Sequence, residues 1–413
     1  MRRPLPVLLA MALEALPAAS SADPMDLSLN RLSYYNPTRW QGNGVNYDPT
    51  RWTFRGGCGT PGTARDPAMD QPYAQCFTDN QLWANLVNEL GGALAPSLGA
   101  PAMTLGYSGL FVGYDVSVSN INRNAEYWTR GTEGSLSSLV GTGTAAVRDR
   151  ADANTFVSRL HVRKGLPWGF ELGTQVSHLH SSSIWAIGLD LRWSLLEGFR
   201  RGIGFLPDFA IRGAVNTMVG QSQMNLTIVG VDLSLSKRFT LGGQVRLTPY
   251  LGGQFLMIFG DSGVTDLTPS RSAYRECPRQ EIRYVDDTRP MDDPARSPSG
   301  RVGQLVCNGG GTAPDAMLPG DLNDTRNSQV FERMRIRRTR AIIGLQLQWE
   351  LLSFTAEFTT DVGAPGFLST PNANAGRPST EAPTMGAANP PTPITLAGFS
   401  QWMTTLSAGV SFR

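Results

Sequence analysis

The chain has 413 residues, enough for two or three soluble domains or for one barrel with large connections. Charge is sparse at 17% and glycine abundant at 45 residues, which suits strands and tight turns better than a helical bundle, and a formal charge of +2 leaves no electrostatic footprint for nucleic acid. Mean hydropathy is slightly negative, and beyond the N-terminus no uncharged apolar run reaches the roughly 18 residues of a spanning helix. That exclusion does not touch membrane strands, whose two faces average to neutral.

Residues 1–22 read as an export signal: basic Arg2 and Arg3, a mostly apolar stretch from Pro4 to Leu16, then small Ser20 and Ala22 at a cleavage site. Residues 23–102 form an irregular, aromatic segment, expected to lie in the periplasm or to plug a lumen. Within it Tyr35-Asn-Pro-Thr-Arg-Trp40 recurs as Tyr47-Asp-Pro-Thr-Arg-Trp52, a repeated turn or a glycan-contacting aromatic pair. A helix is expected from Thr78 to Leu90. Thr78 and Gln81 suit a capping box, Leu82, Trp83, Leu86, Val87 and Leu90 form one stripe, and Gly91-Gly92 ends it. It either packs against the barrel mouth or enters the lumen.

The four cysteines lie in Gly/Pro/Asp-rich, loop-like sequence, and an exported chain meets an oxidising compartment. Neighbourhood pairs Cys58 with Cys76 and Cys277 with Cys307, because a barrel would hold the two pairs apart. Neither their spacing nor nearby histidine supports a zinc site, and no metal or cofactor is expected.

Ten alternating segments follow, at 103–119, 154–163, 168–180, 184–194, 208–218, 224–236, 243–259, 331–349, 353–362 and 400–412. In the fourth, Trp185, Ile187, Leu189, Leu191 and Trp193 alternate with Ala186, Gly188, Asp190 and Arg192. At about 3.3 Å per residue and a tilt near 40°, the two tryptophans stand roughly 20 Å apart along a membrane normal, close to the spacing of two aromatic girdles. Charges cannot face lipid cheaply, so Asp190, Asp232 and Glu357 fix the register of their strands. Counting outward from an exported N-terminus puts the long connections 120–153, 260–330 and 363–399 all on the outer side. The 120–153 gap leaves room for a further hairpin, giving ten to twelve strands.

The final strand, Trp402 to Phe412, sets Trp402, Leu406, Ala408, Val410 and Phe412 opposite Met403, Thr405, Ser407, Gly409 and Ser411. Export signal, alternating segments and this terminal strand together resemble the bacterial outer-membrane β-barrel proteins, loosely porin-like, over residues 103–413. The resemblance implies an all-β, antiparallel up-and-down barrel in the outer membrane of a Gram-negative cell. Its partners would be outer-membrane lipid, lipopolysaccharide and the insertion machinery, which reads an aromatic residue at the end of the last strand. Phe412 would take that role, although Arg413 follows it.

Lumen-lining candidates are Arg159, Arg163, Arg192, Arg212 and Arg246 against Glu171, Asp190, Asp232, Glu357 and Asp361, a cross-paired set that either plugs a narrow lumen or lines a conducting one. The run Phe331 to Arg340 carries Arg333, Arg335, Arg337, Arg338 and Arg340 beyond the expected apolar band. Arg333, Arg335 and Arg337 are candidate contacts to lipopolysaccharide phosphates, or part of a solvated extension paired with loop acids such as Asp286, Asp287, Asp292 and Asp293. Those acids lack the regular spacing of an EF-hand calcium loop.

Of the three histidines, His161, His178 and His180, the His178-x-His180 pair before Ser181-Ser182-Ser183 gives only thin support for a lipase-like site. No catalytic residue is expected. The leading expectation is passive movement of small or amphipathic solutes, followed by a plugged barrel displaying the 260–330 loop. A lipid-modifying enzyme is a distant third.

Overall fold

The computed structural model describes residues 23–35, 76–132, 151–196, 206–241, 244–266, 328–371 and 393–412. Ten long strands are β1 (Leu110–Asn120), β2 (Asn154–Gly165), β3 (Phe170–Leu179), β4 (Trp185–Leu196), β5 (Asp208–Val219), β6 (Met224–Ser236), β7 (Val245–Ser262), β8 (Met334–Trp349), β9 (Leu352–Asp361) and β10 (Trp402–Phe412). Each pairs antiparallel with its sequence neighbours, and β10 pairs with β1 from Met403↔Ser119 to Phe412↔Leu110, so the sheet closes on itself. Closure leaves no unpaired edge, the condition for strands to cross a membrane. No described helix is long and apolar enough to cross one.

Side-chain alternation follows the expected register. On β4, Trp185, Ile187, Leu189, Leu191 and Trp193 are exposed, while Ala186 and Arg192 are buried inside. On β10, Leu406 and Phe412 point out and Met403, Thr405 and Ser411 point in. The connections segregate as expected. At one end lie the short 166–169, 197–207, 237–244 and 350–351; at the other lie 121–153, 180–184, 220–223, 263–333 and 362–401. Ten strands close the barrel; the first part of the 121–153 connection forms α2 (Glu126–Gly131).

Two boundaries differ from expectation. The first strand starts at Leu110 rather than at 103, because Gly106 turns the chain with φ +77° and the residues before it run elsewhere. The helix, α1, spans Asn80–Ala93 and is capped by Asp79, whose side chain accepts from the Gln81 and Leu82 amides. Thr78 cannot cap, being held extended opposite Ser33 in a two-stranded ribbon (33–35 with 76–78). Gln81 instead turns outward and accepts from the Thr395 amide at 2.8 Å. The helix runs through Gly91-Gly92 because the glycines serve close approach: a Cβ on Gly91 would sit 2.5 Å from an Ile258 methyl, and one on Gly92 would collide with Gln401.

A lumen filled by the N-terminal segment

Residues 23–35 and 76–105 decide the interior. The stretch 23–32 lies across the long-connection end: Met25 N–H donates to the Ser181 carbonyl at 2.8 Å, Leu29 N–H to Gln223 Oε1 at 3.0 Å, and Asp26 accepts from the Ser183 amide at 2.6 Å. From there α1 enters the ring of strands. Trp83, Leu86, Val87 and Leu90 are fully buried against inward-facing Leu226, Ile228, Leu256, Ile258, Met334 and Ile336. The half of the lumen nearest the long connections is therefore an apolar core. Its trace in the sequence is the run Phe255-Leu-Met-Ile-Phe259, apolar on both faces because lipid meets one face and the helix the other.

Glu89 of α1 is buried and accepts from Trp128 Nε1 at 2.7 Å, the Asn122 amide at 2.9 Å and the Tyr127 hydroxyl, pinning the 121–132 segment over the helix. Burial, and then the Glu89 carboxylate, push the Tyr127 phenol well above its ordinary value. Burial also raises the Asp79 carboxyl, against the pull of its two amide donors.

Below the helix, residues 94–105 run extended through the polar half of the lumen, and wall side chains take the place of neighbouring strands. Arg340 reaches the Gly92 carbonyl (2.9 Å), Asn216 that of Leu94 (2.7 Å), Arg159 that of Ala95 (3.0 Å) and Gln254 that of Pro96 (2.9 Å). Arg192 and Arg212 share the Leu98 carbonyl, each at 3.0 Å, and Arg192 also donates to Pro101 O at 3.2 Å. Carboxylates take the amides: Glu357 accepts from Leu98 (3.1 Å) and Gly99 (2.9 Å), and Glu171 from Leu105 (3.0 Å). Arg338 and Arg340 stand at the C-terminal end of α1, where the helix dipole favours cations.

The wall also pairs with itself. Arg163 meets Glu171 at 3.1 Å, Arg212 meets Asp232 at 2.7 Å, and Arg338 and Arg340 share Asp361. All ten residues expected to face inward do so by register, and most meet the plug or one another. Asp190 lies beside Gly173, whose missing Cβ gives it room, and is only partly buried. Arg246 sits half-buried at the short-turn end, opposite Gln348, and among the described residues it holds no part of the plug.

Arg338 and Arg340 were not among the expected lumen residues, although the even-numbered phase of β8 puts them inside. Asp115 on β1 and Gln401 ahead of β10 were also missed. Asp115 contacts His161 Nδ1 at 3.0 Å, in a stack of His161 on Phe111. Gln401 accepts from Arg338 at 3.0 Å and donates to the Glu89 carbonyl at 3.3 Å. His178 and His180 lie edge to face at the β3–β4 turn, with His178 Nε2 against the Ser182 carbonyl at 3.0 Å. The signal residues 1–22, the Tyr-Asn/Asp-Pro-Thr-Arg-Trp repeat, Cys58, Cys277, Cys307 with both cysteine pairings, and Asp286, Asp287, Asp292 and Asp293 lie outside the described residues. Of Cys76 only the backbone, in the short ribbon, is described.

A closed antiparallel barrel with an apolar exterior, a polar and charged interior wall, short turns at one end and long connections at the other is the architecture of outer-membrane β-barrel proteins. In that class the long connections face outward. No protein-family model matches the chain, and no curated protein matches it in sequence. Among solved structures it is similar to Ail, the attachment invasion locus protein of Yersinia pestis, at 8% identity over 74% of this chain and 99% of that one, TM-score 0.22. It is also similar to the KdgM porin in complex with disordered oligogalacturonate (8%, 73% and 99%, TM-score 0.23) and to LpxR from Salmonella typhimurium (9%, 71% and 99%, TM-score 0.23). Likenesses this distant do not bear on activity or ligand.

Proposed function

We propose that this protein is a closed surface scaffold of the outer membrane, a barrel that holds residues 80–105 in the lumen and presents residues 23–35 and 76–79, with the described parts of the long connections, on the outer face. One observation carries the reading. The main chain of residues 94–105 is held from several sides by buried arginines and carboxylates, so a solute would have to displace a segment many of whose amides and carbonyls are already paired. A buried polar network resists partial opening, because each broken contact leaves a buried polar or charged group without that partner.

Passive solute transport is the second reading. It is favoured by a small polar cavity of about 40 Å³ between the plug and the wall, lined by Arg163, Arg238, Gln346 and Gln348 at the short-turn end. It requires the segment to leave its contacts. Planar-bilayer recording of the purified full chain separates the two: the scaffold reading expects no steady current, and reproducible open channels in the wild type would refute it. An epitope ahead of Asp23 should be accessible to antibody on intact cells; accessibility only after the outer membrane is permeabilised would refute surface presentation. Phospholipid hydrolysis compared between wild type and His178→Ala tests the enzymatic alternative.

A further inference from the structure

Arginines on β8, and Arg333 just before it, divide between two destinations. Arg338 and Arg340 point inward to the plug and Asp361, whereas Arg333, Arg335 and Arg337 stand exposed on the outer surface of the barrel. Arg333 meets Asp261 at 3.1 Å with most of its side chain in the open. Among the described residues, neither Arg335 nor Arg337 has a carboxylate partner. Exposed arginine on the lipid-facing side of a barrel is costly near the bilayer midplane and cheap only near its boundaries, so their height matters.

Strand β8 supplies its own ruler. Trp349 marks the short-turn end of its outward face, and Leu347, Leu345 and Ile343 follow, all exposed. Arg337 is twelve residues from Trp349 and Arg335 fourteen. At about 3.3 Å per residue and a tilt near 40°, they stand roughly 30 and 35 Å above Trp349, where the apolar band is about 25 Å tall. Both therefore clear the hydrocarbon and enter the headgroup layer at the long-connection end.

The strand that carries them is paired on both sides. Met257 and Phe259 of β7 lie directly opposite Arg337 and Arg335. On the other side, where β9 has ended, a short strand at Gly366–Phe367 pairs with Ile336 and Arg337, and the Leu368 amide donates to the Arg335 carbonyl at 2.8 Å. Two arginines whose backbone positions stand about 7 Å apart along one strand face, beside apolar side chains, suit a membrane-embedded ligand carrying phosphate at headgroup depth.

We infer that Arg335 and Arg337, with Arg333 beside them, form a binding site for the phosphate groups of lipopolysaccharide. Guanidinium forks match phosphate oxygens bidentately, and Met257 and Phe259 flank the two arginines at the same level of the wall. The site rests on the outer-membrane reading. Its test uses purified, folded protein in detergent, so it is independent of where the cell places the chain; cell fractionation checks that placement separately.

Lipopolysaccharide affinity is measured by native mass spectrometry for the wild type, for the Arg335→Gln/Arg337→Gln double variant and for Lys164→Gln. Lys164 is an exposed cation at the opposite boundary, so its loss matches a single charge without touching the site. Folding of each variant is verified by heat-modifiable gel migration. The double variant should bind at least about tenfold more weakly, as expected from losing charge-assisted hydrogen bonds, and Lys164→Gln should bind like the wild type. Wild-type protein should lose at least as much affinity for enzymatically dephosphorylated lipopolysaccharide, an arm that needs no variant to fold. Undiminished binding by the double variant, equal loss with Lys164→Gln, or equal affinity for the dephosphorylated lipid or for phosphatidylglycerol would overturn the assignment.

Discussion

Replacing Glu357 by glutamine tests whether the lumen contacts hold the plug. The carboxylate is buried on β9 and accepts three hydrogen bonds: from the Leu98 amide at 3.1 Å, the Gly99 amide at 2.9 Å and the Tyr250 hydroxyl at 2.8 Å. Glutamine keeps one acceptor oxygen and turns the other into a donor that faces donors. It also leaves the neighbouring Arg212 without part of its counter-charge. Hydrogen bonds to a charged group contribute about 1.5–3 kcal/mol each; two compromised contacts, less the relief of no longer burying a charge, give about 3 kcal/mol. Opening of the 94–105 segment should then become roughly 150-fold more frequent. Hydrogen–deuterium exchange of the reconstituted protein reads this as faster exchange at the Leu98 and Gly99 amides, with the amides of β2 and β3 unchanged. A change of less than about threefold at those two amides would show that the segment is held by something other than this carboxylate.

Two further expectations concern the barrel end and the cap. Phe412→Ala should impair assembly, seen as loss of the heat-modifiable folded band, whereas deleting Arg413 should not; equal insertion of the Phe412→Ala protein would refute the terminal-signal reading. Tyr127 is raised above 10.0, first by burial and then by Glu89. The folded state thus favours its neutral form, a contribution fully present below the ordinary phenol value and lost as pH rises through the higher folded one. Ultraviolet difference titration of wild type against Tyr127→Phe should show no ionisation of this residue between about pH 9 and 11, and a normal phenolate signal there would mean the contact with Glu89 does not form.

The barrel was legible in the sequence because lipid imposes a period of two: an outward position that is not apolar is costly, so Trp185 to Trp193 and Trp402 to Phe412 reveal face and register without tertiary information. The inward charges were legible for the same reason. Connection lengths alone sorted the two ends. The helix, too, could be read from its stripe, though not its cap, because pairing of Thr78 with Ser33 is a contact across more than forty residues.

Only the tertiary structure decided what fills the lumen. Alternation says that Arg192, Arg212 and Glu357 face inward, and an inward charge is equally compatible with water, with an opposite charge or with a main chain. Residues 94–105 carry no period, since their partners are side chains gathered from β2 to β9 around the ring, and nothing local in Leu98 or Gly99 encodes Glu357. The apolar upper lumen left only a faint trace, in a strand apolar on both faces. The sequence by itself thus determined a membrane-facing exterior, where one solvent acts on every strand alike. What sits inside, and hence whether the barrel is a passage or a scaffold, was decided by contacts between residues as many as 312 positions apart.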